Sequence, residues 1–283
     1  MDKFYIGTHI SDIYEIKEYL PIIKEVGGNC IQTFLTLTGK TSVEKYNNNE
    51  LIEIKKYLIN NKFKLVIHSS YMHNLARDWD EYSWWIINII SELEIGEKLG
   101  AFGLVIHFGK KLDLTTEQAY NNMYSSLIYI HNKTKDLKIK IILETPTGQG
   151  SEICYKIEDL SYFFKKLSKN KIKSIRSRFK ICIDTCHIFS AGYNIRTKYN
   201  IRQYIETFNE LIGIKNIYLI HLNDCKVDIG MQVDRHQNIG KGYIGYEGLK
   251  YFFDIFKKYK IPIILETPNN GFLKEIPKLI NNF

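Results

Sequence analysis

The sequence predicts an α/β protein, a single-domain (β/α)8 barrel of the TIM type. Eight short apolar runs recur along its length, and each is followed by a longer segment of helical periodicity. The 283 residues, 45% hydrophobic, are also enough for one large core. Near-continuous apolar strands separated by helices imply a parallel sheet covered on its outer face, and eight repeats are the number that closes it. An open doubly wound sheet is the structural rival. It usually brings a glycine-rich phosphate loop after its first strand, whereas this first strand ends in Gly7-Thr8-His9.

In chain order, the strands are expected at 4–9, 30–35, 64–69, 104–108, 140–144, 180–184, 217–221 and 261–266, each rich in Ile, Val, Leu or Phe. The helices between them fall near 12–26, 43–60, 80–99, 115–134, 156–169, 199–213, 246–260 and 271–282, with Lys and Glu on their outer faces. Asn47 to Asn49 mark a loop or helix edge, and no low-complexity linker interrupts the rhythm. The first twenty residues lack an apolar signal core, and no stretch reaches the roughly 18 apolar residues of a membrane span. A soluble intracellular protein without a membrane partner is expected, in cytoplasm or nucleus, or in a virion if the source is viral.

Six strands finish on a ligand-type residue: His68, His107, Glu144, Asp184, His221 and Glu266. Two positions earlier, on the same face of each strand, stand Val66, Val105, Ile142, Cys182, Leu219 and Ile264. Those are apolar or small, as a packed barrel interior requires, so the six polar groups crown it at the carboxyl-terminal mouth where barrel active sites form. Three carboxylates and three imidazoles crowded there repel one another and resist burial unless divalent cations compensate. Mixed His and carboxylate ligation suits zinc, with manganese or iron as alternatives at some positions.

Two more pieces are expected in loops. His187 lies three residues beyond Asp184, and Asp234 and His236 share one side of an extended segment, a set able to hold another ion. Taken alone, Asp234-Arg235-His236 reads rather as a solvated turn. Five of the eight histidines now belong to the cluster. His9 also points to the mouth, either toward substrate or as a core residue, while His73 and His131 receive no chemical role. The five cysteines include no paired-cysteine knuckle, and Cys182 and Cys186 read as packed thiols rather than ligands. Lys plus Arg exceed Asp plus Glu by 39 to 31, a mild attraction to polyanions that becomes informative only beside phosphate chemistry.

The strings HSSYMHNL (68–75), LETPTGQG (143–150), CIDTCHIFSAGYN (182–194), HLNDCK (221–226), VDRHQNIGKG (233–242) and LETP (265–268) resemble, in order and spacing, the endonuclease IV family of apurinic/apyrimidinic endonucleases. The resemblance implies a zinc-dependent enzyme with three Zn2+ per chain that acts, as a monomer, on double-stranded DNA with abasic sites. His68, His107 and Glu144 would take one ion. Glu144 would bridge to a second ion held by Asp184, His221 and Glu266, and His187, Asp234 and His236 would take the third. It further implies Glu144 and Glu266 as the catalytic carboxylates and a cut 5′ of the lesion in base excision repair, leaving a 3′-hydroxyl and a 5′-deoxyribose phosphate. Tyr71 and Met72 match a segment that enters the minor groove, and Lys40 is the one cation of loop 35–42, where the family has an Arg-containing recognition loop. Two rivals remain at this stage: a metal-dependent sugar isomerase or epimerase of similar fold, and a non-catalytic DNA-damage binder.

Overall fold

Alternating side chains on eight short strands build the barrel from its inside outward. In a computed structural model that describes residues 4–36, 40, 42, 43 and 46–281, the strands are β1 (Ile6–Ile10), β2 (Cys30–Phe34), β3 (Lys64–His68), β4 (Gly103–His107), β5 (Lys140–Glu144), β6 (Phe179–Asp184), β7 (Ile217–His221) and β8 (Ile263–Leu265). Each pairs in parallel with its neighbours, and β8 pairs with β1 to close the sheet. The register sets His107 level with Glu144 and Asp184 level with His221, so ligand-type side chains from successive strands meet at one height.

The inner layer consists of Cys30, Val66, Val105, Ile142, Cys182, Leu219 and Ile264, all fully buried, with Tyr5, Phe102 and Tyr218 closing the floor. Six of those seven are the positions that alternation places beneath the polar mouth. β1 contributes no large inward side chain at Gly7, where a Cβ would collide with the Cys30 carbonyl oxygen. Outside, each helix turns an apolar stripe to the sheet. Tyr246–Lys258 buries Leu249, Phe252, Phe253 and Phe256 at helical spacing, with Lys257 and Lys258 in its last turn. Each such fully buried side chain contributes about 1.5–3 kcal/mol, against the entropy of ordering the chain.

The structure departs from the sequence reading at element edges. Asn47 caps the helix Asn48–Asn60 with a reciprocal bond to Glu50, so that helix starts later than the apolar pattern indicates. Lys173–Arg178 and Thr185–Ser190 form short helices that the periodicity is too brief to reveal. β8 ends at Leu265, one residue short of Glu266. Asp224–Cys225 and His236–Gln237 pair as an antiparallel ribbon above the barrel. Residues 37–39 and 41 of loop 35–42, residues 44 and 45, and residue 282 lie outside the described residues. Among the described residues, no helix is long and apolar enough to cross a membrane.

Candidate metal centre

Because Glu144 ends β5 with its side chain inward, its carboxylate stands over the barrel axis, where the imidazoles of neighbouring strands reach it. Its Oε2 lies 3.2 Å from both His68 Nε2 and His107 Nε2. Its Oε1 lies 2.7 Å from His221 Nδ1 and 3.5 Å from His187 Nδ1. His187 is on a helix and not in a loop, because the Asp184 carboxylate caps the Thr185–Ser190 helix by accepting the His187 N–H at 2.9 Å. The turn that follows β6 therefore delivers two ligand-type side chains instead of one. The ribbon brings in the last pair, with Asp234 Oδ1 3.2 Å from His187 Nε2 and 3.3 Å from His236 Nε2.

Backbone carbonyls orient the rings. His68 Nδ1 donates to Ser69 O at 2.7 Å, His187 Nδ1 to Thr145 O at 2.9 Å, and His236 Nδ1 to Glu266 O at 3.4 Å. In each the carbonyl holds Nδ1 as a donor and turns the other nitrogen, Nε2, toward the mouth, where that of His68 lies 3.2 Å from Glu144 Oε2. The carboxylates are held in the same manner. Asn223 donates to Asp184 Oδ2 at 2.7 Å and to Glu266 Oε2 at 3.2 Å, while its own oxygen accepts the Glu266 N–H.

Burial opposes ionisation of Glu144, yet the His221 and His107 imidazoles beside it hold its carboxyl well below the usual range. Glu266 is likewise held down to about 2, burial notwithstanding, chiefly by His221. His9, at the rim, is pushed down to about 3 by burial and is neutral at physiological pH.

Beyond the nine ligand-type positions, Gln32 and Asn223 were missed by a reading that looked only for His, Asp and Glu. The signal for Gln32 was present, since it follows the inward-facing Cys30 by two residues on β2. Tyr71 and Met72 are exposed at the rim, Tyr71 lining a mouth cavity of about 340 Å³, and Lys40 is exposed. All five cysteines are free and buried. Cys182 packs in the inner layer as expected, whereas Cys186 Sγ lies within 4.8 Å of ligand atoms of Asp184 and His236.

His73, given no role from sequence, joins a buried polar group beneath the Tyr71 loop. Ser69 Oγ lies 2.7 Å from His73 Nδ1 and donates to Glu92 Oε2 at 2.5 Å, and Thr36 donates to Glu92 Oε1 at 2.8 Å. Burial pushes Glu92 up to about 7 and His73 down to about 4, so near neutrality the adjacent His73 carries no charge to offset that of Glu92. The folded Glu92 then keeps its proton between about 4.5 and about 7 where the unfolded residue loses it, so its own contribution to stability falls as pH rises through that window, by up to about 3 kcal/mol, while the lowered His73 contributes an opposite slope above about 4. Glu92→Gln is expected to remove the Glu92 part of this slope, so that the variant gains stability relative to the wild type as pH rises. Urea midpoints at pH 5 and pH 7.5 for both proteins test it, and an unchanged slope in the variant excludes the burial account.

The donor set fits divalent cations on a specific observation. Among the described residues, His187 Nε2 and His236 Nε2 are buried without a well-aligned hydrogen-bond partner, although Asp234 Oδ1 lies 3.2 and 3.3 Å from them. Two such ring nitrogens beside one carboxylate leave a cation as the group that would satisfy all three. Among the described residues, four groups each bring their ligand atoms within 4.8 Å of one another: His68, Glu144 and His221; Glu144, Asp184, His221 and Glu266; Asp184, Cys186 and His236; and His187, Asp234 and His236.

A closed eight-stranded parallel barrel with clustered His and carboxylate groups at its carboxyl-terminal mouth defines the class, and residues 20–281 match the family described as xylose isomerase-like TIM barrel. Within that class the chain belongs to the endonuclease IV family of apurinic/apyrimidinic endonucleases, which are metal-dependent hydrolases of phosphodiester bonds. It is 32% identical to a probable endonuclease 4 of Petrotoga mobilis over 94% of this chain and 92% of that one. A probable endonuclease 4 of Mycoplasmopsis agalactiae is 35% identical over 93% of this chain and 91% of its own. The crystal structure of endonuclease IV from Thermus thermophilus superposes with a TM-score of 0.79 at 21% identity, covering 99% of this chain and 97% of that one, a likeness of fold. The isomerase and passive-binder alternatives fall away with this membership.

Proposed function

We propose that this protein is a zinc-dependent enzyme that cuts double-stranded DNA on the 5′ side of abasic sites in base excision repair. The observation that carries the reading is Glu144, one carboxylate reached by His68, His107, His187 and His221 and shared by two of the ligand groups. His68, His107 and Glu144 would hold one Zn2+; Glu144, Asp184, His221 and Glu266 a second; and His187, Asp234 and His236 a third, with manganese or iron as alternatives. Bound there, the cations would supply Lewis acidity toward the phosphodiester and acidify water.

The chain's own groups account for the remaining steps. Glu266, fixed by Gln32 and Asn223, orients the attacking water beside the scissile phosphorus. A water oxygen bonds to phosphorus as the bond to the 3′ oxygen breaks, giving a 3′-hydroxyl and a 5′-deoxyribose phosphate. Tyr71 and Met72, exposed beside the mouth, fill the gap left when the baseless nucleotide turns out of the duplex, a step that costs least where no base is paired. A second cavity of about 380 Å³, sharing Tyr71, His107 and Asp234 with the mouth and lined also by Lys110, Glu152 and Arg235, gives room for the continuing strand, with Arg235 as a cation for its phosphates. Lys40 adds a further cation toward the backbone. The chain works as a single domain and as a monomer, since every group used comes from one mouth.

The test is a labelled duplex with one abasic analogue, incubated with zinc-loaded protein and sized against a ladder. A single cut immediately 5′ of the lesion, and none in the matched undamaged duplex, is expected. A 3′-side cut, or equal cutting of both duplexes, overturns the proposal.

A further inference from the structure

We propose that Gln32 is a positioning residue of the metal centre, setting the ring of His221 and the carboxylate of Glu266 through one amide. The inference rests on the reading above that both residues are ligands.

Three mouth histidines, His68, His187 and His236, have their second nitrogen taken by a backbone carbonyl, which no substitution at the partner removes. His221 differs. Its Nε2 lies 2.8 Å from the side-chain oxygen of Gln32, a fully buried residue in the middle of β2. The bonding possibilities leave one assignment. An ionised carboxylate only accepts, so the Gln32 nitrogen, 2.6 Å from Glu266 Oε1, donates to it, and the amide oxygen must face His221. That oxygen only accepts in turn, so the proton of the metal-bound imidazole sits on His221 Nε2. Nδ1, 2.7 Å from Glu144 Oε1 and 3.2 Å from Glu266 Oε2, is left for the cation.

The second amide hydrogen is used as well. It points to His9 Nδ1 at 3.0 Å, which leaves the His9 proton on Nε2. Among the described residues His9 Nε2 is buried without a hydrogen-bond partner, and the His9 side chain lines the mouth cavity, so Gln32 also sets the orientation of that ring. One fully bonded, buried amide thus fixes a ligand ring, a ligand carboxylate and the His9 ring at once. Deleting it frees three groups simultaneously.

The test compares wild-type, Gln32→Leu and Gln32→Glu proteins, all loaded with zinc. Competition against a chromophoric chelator is expected to show one ion per chain held about 10–100-fold more weakly in Gln32→Leu, with the remaining zinc unaffected. Gln32→Glu keeps an acceptor for His221 but sets a carboxylate against Glu266, and is expected to lose zinc affinity while retaining the His221 proton position. Long-range ¹H–¹⁵N spectra of the wild-type protein, with His221 assigned by its absence in His221→Gln, need no Gln32 variant. They are expected to show Nε2 protonated and Nδ1 bound to metal. A His221 bound through Nε2, or zinc retained at wild-type affinity in Gln32→Leu, overturns the role of Gln32. Wild-type protein that binds no zinc at all, or in which His221 is not a ligand, instead removes the metal-centre reading beneath it.

Discussion

Glu144→Gln protein is expected to fold and to lose incision of abasic DNA by about a thousandfold or more, with duplex binding within a few-fold of the wild type. The carboxylate is the shared neighbour of His68, His107, His187 and His221. A neutral amide of the same shape offers one acceptor and one donor where two acceptors are needed. Its NH2 would face a ring nitrogen that must stay bare, so the change removes charge and misdirects a ligand together. Stability suffers less, because the packed layer under Glu144 is carried by Ile142 and its six counterparts, which the substitution leaves in place. The measurements are single-turnover cutting rates, a thermal melt and a binding isotherm on an abasic duplex. Incision within tenfold of the wild type would remove Glu144 from the mechanism.

Metal removal has the second large effect. Exhaustive chelation is expected to abolish cutting and to lower the melting temperature by about 10 °C, with both restored by zinc. Without cations, Glu144, Asp184 and Glu266 face one another across a mouth whose groups share a few ångströms, and the neighbouring imidazoles with the Asn223 and Gln32 amides relieve only part of their repulsion. A cation held a thousandfold below its working concentration adds about 4 kcal/mol to the folded state, which for a chain of this size is a shift of that order. Retained activity after complete metal loss, checked by elemental analysis, would sink the metal-dependent reading; return of activity with manganese alone would reassign the metal.

Much of the fold was legible because strand alternation and helix periodicity are local. The pattern that picked out Val66, Val105, Ile142, Cys182, Leu219 and Ile264 as the layer beneath the mouth needs no neighbour to be read, and those residues do pack together. Element edges were less legible. Asn47 moves a helix start by capping, and the Thr185–Ser190 helix is too short to carry a period. His73 and Glu92 looked unremarkable for another reason: they lie on a loop and on a helix, and only the packing of that helix against the Tyr71 loop joins them through Ser69.

By itself the sequence determined the barrel, the polar crown on its strand ends and the family, because each depends on residue type at a fixed local spacing. Tertiary structure alone decided which side chains share a partner. Glu144 meets His221 from 77 positions away, and Gln32 meets His221 across 189 and Glu266 across 234. Closure of the sheet sets those approaches, since the β8–β1 pairing brings the first strands beside the last. Hydrogen-bond direction then selects which nitrogen of each ring is left bare, and neither property is written in any short run of residues.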